Sequence, residues 1–436
     1  MGTVSNSSAI PAELLEALAG VVGAAHVSTD ADVLSARSVD WTGRYRGRAG
    51  ALVRPGSAAE LAAVMHACRT AHAYVTVQGG RTSLVAGTVP EHDDVLLSTE
   101  RLTELGAVDT AARRLRAGAG VTLAALQRAA GAAGLLFGVD LTARDSATIG
   151  GMASTDAGGL HTVRYGTMRD QILGADVVLP DGSLVRRHRE PAIFIGAEGT
   201  LGVITAVDLA LHPIPAHRAT AVCGFDDLDS LVAVAQSSRD VETIDAVELI
   251  DGRALTANAD WLLLVELAGD SDQNQRLSDV LDGVPTEPEV GVDAPGRQRL
   301  WRLRESLAEI VGTFGPPVKF DVSLPLAAVA PFAAASRALI ARHAPEAIPV
   351  LFGHIGEGNL HLNVLRCDTA GEAAVYAPMM ELIAAHGGNV TSEHGVGTRK
   401  RAYLHMARSA ADIAAMRATK EALDPDAHLN RAVLFD

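Results

Sequence analysis

Cysteine is scarce in this chain: Cys68, Cys223 and Cys367 are the only three in 436 residues, and no two form a C-x-x-C pair. That spacing excludes a disulfide framework and an iron–sulfur centre, and it points to a reducing compartment. Basic charge is also in deficit, with 37 Lys and Arg against 52 Asp and Glu and a formal net charge of −15. Nucleic acids and anionic membranes are gripped by clustered cations, so neither is expected as a partner. The one basic run, Arg186-Arg187-His188-Arg189, is too short to reverse that balance. No apolar stretch reaches membrane-spanning length; AALQRAAGAAGLLFGV (124–139) is broken by charge and glycine. The first residues lack the basic-then-apolar order of a signal peptide, so a cytoplasmic protein is expected.

What is present is globular: 48% hydrophobic and 20% charged residues, in a chain long enough for two or three domains. Residues 8–27 read as an amphipathic helix, with Ser8 as cap and Pro11 in the first turn. From about residue 50 strands and helices alternate. Residues 50–80 read as strand, helix, strand and glycine turn, a compact βαβ unit. Asp181-Gly182 marks a hairpin, and GVITAVDLALHPIP (202–215) is a half-buried strand stopped by prolines. Past Pro215 the pattern restarts as β-α-β-β-α, followed by a helix from about Gln298 and another ending near His343. The strands IPVLFGH and NLHLNVL and a helix over 371–386 come next. The expected domains are 1–216, 217–388 and a closing segment, 389–436.

The glycines are spent unevenly. QGGRTSLVAG (78–87) follows a strand, TIGGMASTDAGG (148–159) follows an apolar segment, and IGAEGTLG (195–202) precedes a strand. Glycine after a strand lets backbone N–H groups converge without a Cβ in the way, and such concavities bind phosphate. One such loop is commonplace; three, with Thr82, Ser83, Thr148, Ser154 and Thr155 as hydroxyl partners, point to a large phosphorylated cofactor. No G-x-G-x-x-G opens a helix after a strand and no G-x-x-x-x-G-K-[ST] occurs, so ordinary Rossmann and P-loop folds are excluded.

LFGHIGEGNLHLNV (351–364) puts two imidazoles and an amide into apolar strand. His361 and Asn363, two apart, share one strand face, and the glycine turn after His354 folds that residue back toward it. Thirty residues on, Glu393 and His394 add a carboxylate and a further imidazole. Two His and one Glu around an open position make a catalytic divalent-metal site; hydrogen-bonded core histidines are the plainer alternative. Zn²⁺ suits these ligands best, and residue type leaves Mn²⁺, Fe²⁺ and Co²⁺ open.

VTVQGGRTSLVAG, ATIGGMASTDAGGLHTVRYG, the PDG hairpin and FIGAEGTLGVIT, in that order, resemble the FAD-binding domain of the vanillyl-alcohol-oxidase type. LWRLRESLAEI, VKFDVSLP, FGHIGEGNLHLNV and TSEHGVGTRK resemble the FAD-linked D-2-hydroxyacid dehydrogenases, which include D-2-hydroxyglutarate, D-lactate and glycolate dehydrogenases. The resemblance runs over residues 40–436. It implies an α+β fold: a vanillyl-alcohol-oxidase-type domain, a ferredoxin-like α+β substrate or cap domain, and a C-terminal segment returning to the flavin site. It implies FAD held by Gln78, Gly79, Gly80, Arg81, Thr82, Ser83 and Leu84 in the first loop, and by Thr148, Ile149, Gly150, Gly151, Ser154, Thr155, Gly158 and Gly159 in the second. Glu198, Gly199, Gly202, Ile204 and Asn430 complete that set. Arg81 stands where covalent relatives carry the flavin-linking histidine, so the FAD is expected to be non-covalent.

The same resemblance assigns His354, His361 and Glu393 as ligands of a divalent metal, with zinc expected. It makes His394 the catalytic base, and Arg304, Lys319 and Asn363 the substrate contacts. The implied reaction is oxidation of a D-2-hydroxyacid to the 2-keto acid, with the hydroxyl proton going to the base and hydride to flavin N5. Electrons would leave to a quinone, an electron-transferring flavoprotein or a cytochrome; a homodimer is compatible. A flavin oxidase using O₂, a flavin-free metal hydrolase and a flavin subunit of a larger assembly are the competing readings. Several features depart from the pattern, among them a connection from Arg189 to Phe194 that is several residues shorter than in typical relatives. Ala308 replaces a threonine of the hydroxyglutarate enzymes, which leaves lactate open as substrate; Asp156 and Glu357 replace Asn and Asp, and HLNRAVLF (428–435) replaces an Asn-Pro-Gly ending.

Overall fold

The computed structural model describes residues 10–188 and 191–435, so the Ser8 cap and Arg189 lie outside it. Two compact units are present. One comprises the chain up to Ala157 together with Thr167–His212 and His394 onward; the other comprises Gly158–Gly166 and Pro213–Glu393. Residues 158–166, expected in the first domain, thus pack with the second. The closing segment divides at 393/394 rather than starting whole at 389.

The first unit begins with a helix at Ala12–Val22, shorter than the expected 8–27. One sheet holds strands Val27–Ser28, Ala49–Val53, Asp94–Ser98 and Val75–Gln78, in that order, with the last three parallel. The 49–53 and 75–78 strands are joined by the helix Ala58–Thr70, which turns Leu61, Val64, Met65 and Cys68 inward at helical spacing. They are the two ends of the expected βαβ unit, but the 94–98 strand is inserted between them. A second sheet, antiparallel throughout, runs 114–118, 203–210, 172–178, 184–188. Its hairpin turns at Asp181-Gly182, where Gly182 takes φ +88° and the Asp181 carboxylate accepts from Ser183 N at 2.8 Å. Near the end of the chain Leu429 bridges to Val75, and Asn430 N donates to Val75 O at 2.8 Å.

The second unit is built on seven antiparallel strands in the order 289–291, 217–225, 261–269, 244–251, 348–354, 359–365, 318–323. Residues 217–291 make a β-α-β-β-α-β run whose strands lie 4-1-3-2, the ferredoxin-like order. Residues 318–385 repeat β-α-β-β-α, and the two halves join where Leu249 pairs with Gly353. The helix Ala294–Thr313 starts four residues before the expected Gln298, because Asp293 caps it by accepting from Gly296 N and Pro295 sits in its first turn. Its buried stripe is Leu300, Arg304, Leu307 and Val311. The leucines pack with Val222, Ile250, Leu264, Val350, Phe352 and Leu365 on one face of the sheet. Each fully buried aliphatic side chain there contributes about 1.5–3 kcal/mol. The stripe therefore forces Arg304, a cation at an apolar position, down against that face.

Candidate functional site

The first unit contains a pocket with about 570 Å³ of non-atom space, part of it open to solvent. Gly79, Ser83, Gly150, Gly151, Ser154, Thr155, Glu198, Gly199, Gly202, Ile204 and Asn430, all expected at the cofactor, line it. Gly87 at the end of the first glycine loop and Val203 beside Gly202 also line it, as do Val77, Thr88 and Thr99, which sequence reading missed because an apolar or threonine wall carries no motif. The loops meet backbone to backbone. A Cβ on Gly79 would lie 2.6 Å from Thr148 Oγ1, and one on Gly80 would lie 1.9 Å from Ser146 O. Thr148 Oγ1 accepts from Gly80 N at 3.1 Å, so both residues hold the loop without facing the cavity.

Other expected contacts also support the walls. Gln78 is buried and donates to Arg37 O and Thr88 O, Arg81 donates to Ala36 O, and Ile149 belongs to the core. Thr82 and Leu84 are half-buried in the same loop. The hydroxyls of Ser154 and Thr155, expected to face phosphate, bond back to Gly150 O and Gly151 O of their own helix. Glu198 lines the cavity with its charge already satisfied, each carboxylate oxygen accepting at 2.7 Å from Val396 N or Gly397 N. Burial pushes that carboxyl above its ordinary range. Asn430 spans the wall, accepting from Val77 N and donating to Glu198 O, both at 2.8 Å. Asp156 does not point its charge at the cavity: it accepts from Arg169 N and Arg169 Nε at 2.9 Å and from Thr167 Oγ1 at 2.8 Å. A glycine-edged pocket with hydroxyl and backbone lining suits the phosphates and polar edges of a dinucleotide such as FAD.

The second unit assembles the histidines. His354 ends one strand and Asn359 opens the next, with only the turn 355–358 between them. Gly358 takes φ +75° there, and its Cβ would lie 2.1 Å from Leu324 O, so the turn requires glycine. Register pairs His354 with Asn359 and Phe352 with His361, which leaves both imidazoles on the face covered by the 294–313 helix. Their ring centroids are 5.3 Å apart and perpendicular. Ser392 is bonded to Ser323 Oγ and Asn359 Oδ1, and it delivers Glu393 to the same place.

Glu393 Oε1 lies 3.5 Å from His361 Nε2 and its Oε2 lies 3.9 Å from His354 Nε2. Ligand atoms around one tetrahedral zinc, at about 2.0–2.2 Å from it, stand roughly 3.3–3.5 Å apart. The donor types suit a divalent ion, and the His361–Glu393 separation is of that order while the His354–Glu393 one is longer. The other ring nitrogens are spoken for: His354 Nδ1 is 2.6 Å from Glu248 Oε1, and His361 Nδ1 is 3.2 Å from Asp321 Oδ1. Burial works against the charged form of His354, but Glu248 and then Glu393 outweigh it and raise the imidazole to about 9. His361, where burial dominates, is lowered.

Glu248 and Asp321 escaped sequence reading, although each is a buried acid inside an apolar strand, which is a usable signal. Lys319 and Asn363 are cross-strand partners one register step from the Asp321–His361 pair. Burial lowers Lys319, and its ammonium has no hydrogen-bond or ion-pair partner among the described residues. Arg304 Nε donates to Glu248 Oε2 at 2.5 Å, and its guanidinium stacks 4.7 Å over Phe352. Arg304 thus pairs with a carboxylate 56 residues away on a strand and not with a Glu of its own helix. Ala308 is exposed, and burial pushes the half-buried Glu357 up to about 7. Gly158 and Gly159, expected at the flavin, belong to this unit, and a Cβ on Gly158 would lie 3.7 Å from Glu393 Oε2. His394 follows Glu393 directly and opens the C-terminal stretch of the first unit.

Comparison with known proteins bears on both units. Residues 49–187 match the FAD binding domain family, and residues 214–434 match the family "FAD linked oxidases, C-terminal domain". D-2-hydroxyglutarate dehydrogenase of Stutzerimonas stutzeri (strain A1501) is 30% identical, over 97% of this chain and 98% of that protein. The enzyme of the same name from Xanthomonas citri pv. viticola is 34% identical, over 91% of each. The mitochondrial one of Bos taurus is 31% identical, over 93% of this chain and 80% of that protein. Among solved structures, p-cresol methylhydroxylase superposes with a TM-score of 0.81 at 16% identity, covering 97% of this chain and 96% of that one. The 4-ethylphenol oxidase from Gulosibacter chungangensis superposes with a TM-score of 0.78 at 15% identity, covering 99% of each. At such identities the structural likeness concerns the fold alone.

Proposed function

From the premise that this chain belongs to the FAD-linked oxidase family, and within it to the D-2-hydroxyacid dehydrogenases, we propose the substrate and the residue roles of an FAD-dependent hydroxyacid dehydrogenase. The substrate is a D-2-hydroxyacid, with D-2-hydroxyglutarate first, since relatives matching nearly end to end carry that name. A dicarboxylate also suits a unit in which the half-buried Lys319 stands beside the histidine strand. The exposed Ala308 keeps D-lactate as the comparison substrate.

One observation carries the metal-assisted reading: the Nε2 atoms of His354 and His361 and both oxygens of Glu393 converge while each Nδ1 is held by a separate buried carboxylate. When bound, FAD supplies a hydride acceptor and a divalent ion supplies Lewis-acid polarisation of the α-hydroxyl. The chain does the rest. His394 takes the hydroxyl proton on an imidazole nitrogen as general base. Lys319 offers a carboxylate a point charge, Arg304 offers the planar edge of its Nη groups, and Asn363 donates an amide hydrogen bond. Electrons then pass to an external acceptor.

The test is an anaerobic screen of D- and L-2-hydroxyacids, following loss of the oxidised-flavin absorbance. D-2-Hydroxyglutarate should bleach the flavin, its L-enantiomer should not, and a chelator should slow the bleaching until Zn²⁺ is restored. Failure of every D-2-hydroxyacid would remove the substrate class, and chelator-insensitive turnover would remove the metal.

A further inference from the structure

We infer that Glu248 is a positioning residue that holds a metal ligand and the carboxylate-binding arginine through one shared carboxylate. The inference rests on the metal reading above. Glu248 is fully buried and spends its two oxygens on different partners: Oε1 lies 2.6 Å from His354 Nδ1, and Oε2 lies 2.5 Å from Arg304 Nε. An ionised carboxylate only accepts hydrogen bonds, so His354 keeps a proton on Nδ1, and its neutral form presents the Nε2 lone pair to the site. That orientation is what an Nε2 ligand needs. On the other side the bond to Nε pins the guanidinium over Phe352. Its two Nη groups have no hydrogen-bond or ion-pair partner among the described residues, so they can receive a carboxylate bidentately. Asp321 provides a contrast, since it bonds His361 Nδ1 and makes no bond to Arg304.

An amide in place of Glu248 cannot serve both neighbours. Its oxygen can accept from one, and its NH₂ must then face the other. Turned toward His354, the NH₂ demands an acceptor at Nδ1 and moves the ring proton to Nε2. Turned toward Arg304, it opposes Nε–H and displaces the guanidinium.

The experiment uses the full chain carrying Glu248→Gln. In metal-free protein, at a pH where the imidazole is neutral, long-range ¹H–¹⁵N NMR reads the His354 tautomer; Zn²⁺ alone is titrated against a competing chelator; kcat and KM are measured at saturating Zn²⁺. The expected result is a shift of His354 toward the Nε2–H tautomer with Zn²⁺ affinity down 10–100-fold, or a rise in KM of tenfold or more where the amide turns the other way. Asp321→Asn should lower Zn²⁺ affinity and leave KM unchanged. An E248Q protein with the tautomer, the Zn²⁺ affinity and KM all unaltered would overturn the inference. Should E248Q not fold, the double replacement E248Q/R304Q leaves no unpaired buried charge and reports the same tautomer and Zn²⁺ changes; unaltered values there overturn it equally. Failure of the unaltered chain to bind Zn²⁺ would instead strike the metal reading, while the tautomer comparison in metal-free protein still judges Glu248.

Discussion

The Glu248–His354 pair predicts a specific pH profile for the metal-free chain. Its imidazole stands at about 9 folded against an ordinary 6.5, a difference of 2.5 units. At about 1.4 kcal/mol per unit this is about 3 kcal/mol. The folded value is the raised one, so the stabilisation is complete below pH 6.5 and is lost as pH climbs through about 9. Glu248 is the same interaction viewed from its partner: burial alone would raise it, but His354 and Arg304 bring it from 4.5 down to about 2. A lowered carboxyl contributes above its unfolded value and loses that contribution as pH falls toward about 2. The two arms describe one pair and are not added. Together they give a plateau between pH 4.5 and 6.5 with a decline on either side.

The assay is the thermal midpoint of chelator-treated protein from pH 5 to 10, compared with E248Q. For a unit of this size, about 3 kcal/mol corresponds to roughly 6–12 °C. The unaltered chain should lose its advantage over E248Q progressively between pH 6.5 and 9. Parallel curves across that interval would refute a protonated His354 held by Glu248.

Further outcomes follow from particular contacts. His394→Ala should retain flavin and Zn²⁺ yet slow anaerobic flavin reduction about 10²–10⁴-fold, the usual worth of a general base; unslowed reduction would remove that assignment. Gly80→Ala should yield a protein without bound flavin, because the added Cβ meets Ser146 O at 1.9 Å and must push the glycine loop off its neighbour; full flavin content on purification would contradict this. Cys68 and Cys223, raised by burial to about 12, and the equally buried Cys367 should resist a thiol reagent at pH 8 until denaturant is added.

Residue type and spacing made the glycine loops and the two histidines visible, because both carry chemistry that an apolar core does not need. Hydrophobic periodicity found the strands but could not order them sideways. The 94–98 strand lies between the partners of the expected βαβ unit, and local pattern contains no term for that. Glu248 was hidden for a related reason. IDAVELID reads as a buried strand, and only its register against His354 and the stripe of the 294–313 helix turns the acid into a partner for both neighbours. Ser154 and Thr155 show the opposite error: their hydroxyls looked available, but short helices let Ser and Thr bond back to the preceding turn. Asp156, which departs from the Asn of the resembling family, is neutralised by Arg169 thirteen residues away, a pairing that no local motif announces.

The charge balance of the second unit explains why its histidines gather where they do. Glu248, Asp321, Glu357 and Glu393 are collected on or beside one sheet face, where Arg304 is already committed to Glu248. Burial works against the charge on the neighbouring Lys319, and the site also answers by holding protons. His354 is raised to about 9, and Glu357, disfavoured as an anion by burial and by Glu248 and Glu393, is raised to about 7. Buried carboxylates of this density persist only when paired or when they surround a cation. Protons relieve that strain only by filling imidazole and carboxyl positions that face one another, whereas a divalent cation satisfies Nε2, Nε2 and carboxylate together. On the proposed metal reading the two states are alternatives, since an ion binding at His354 Nε2 would have to displace the proton there first.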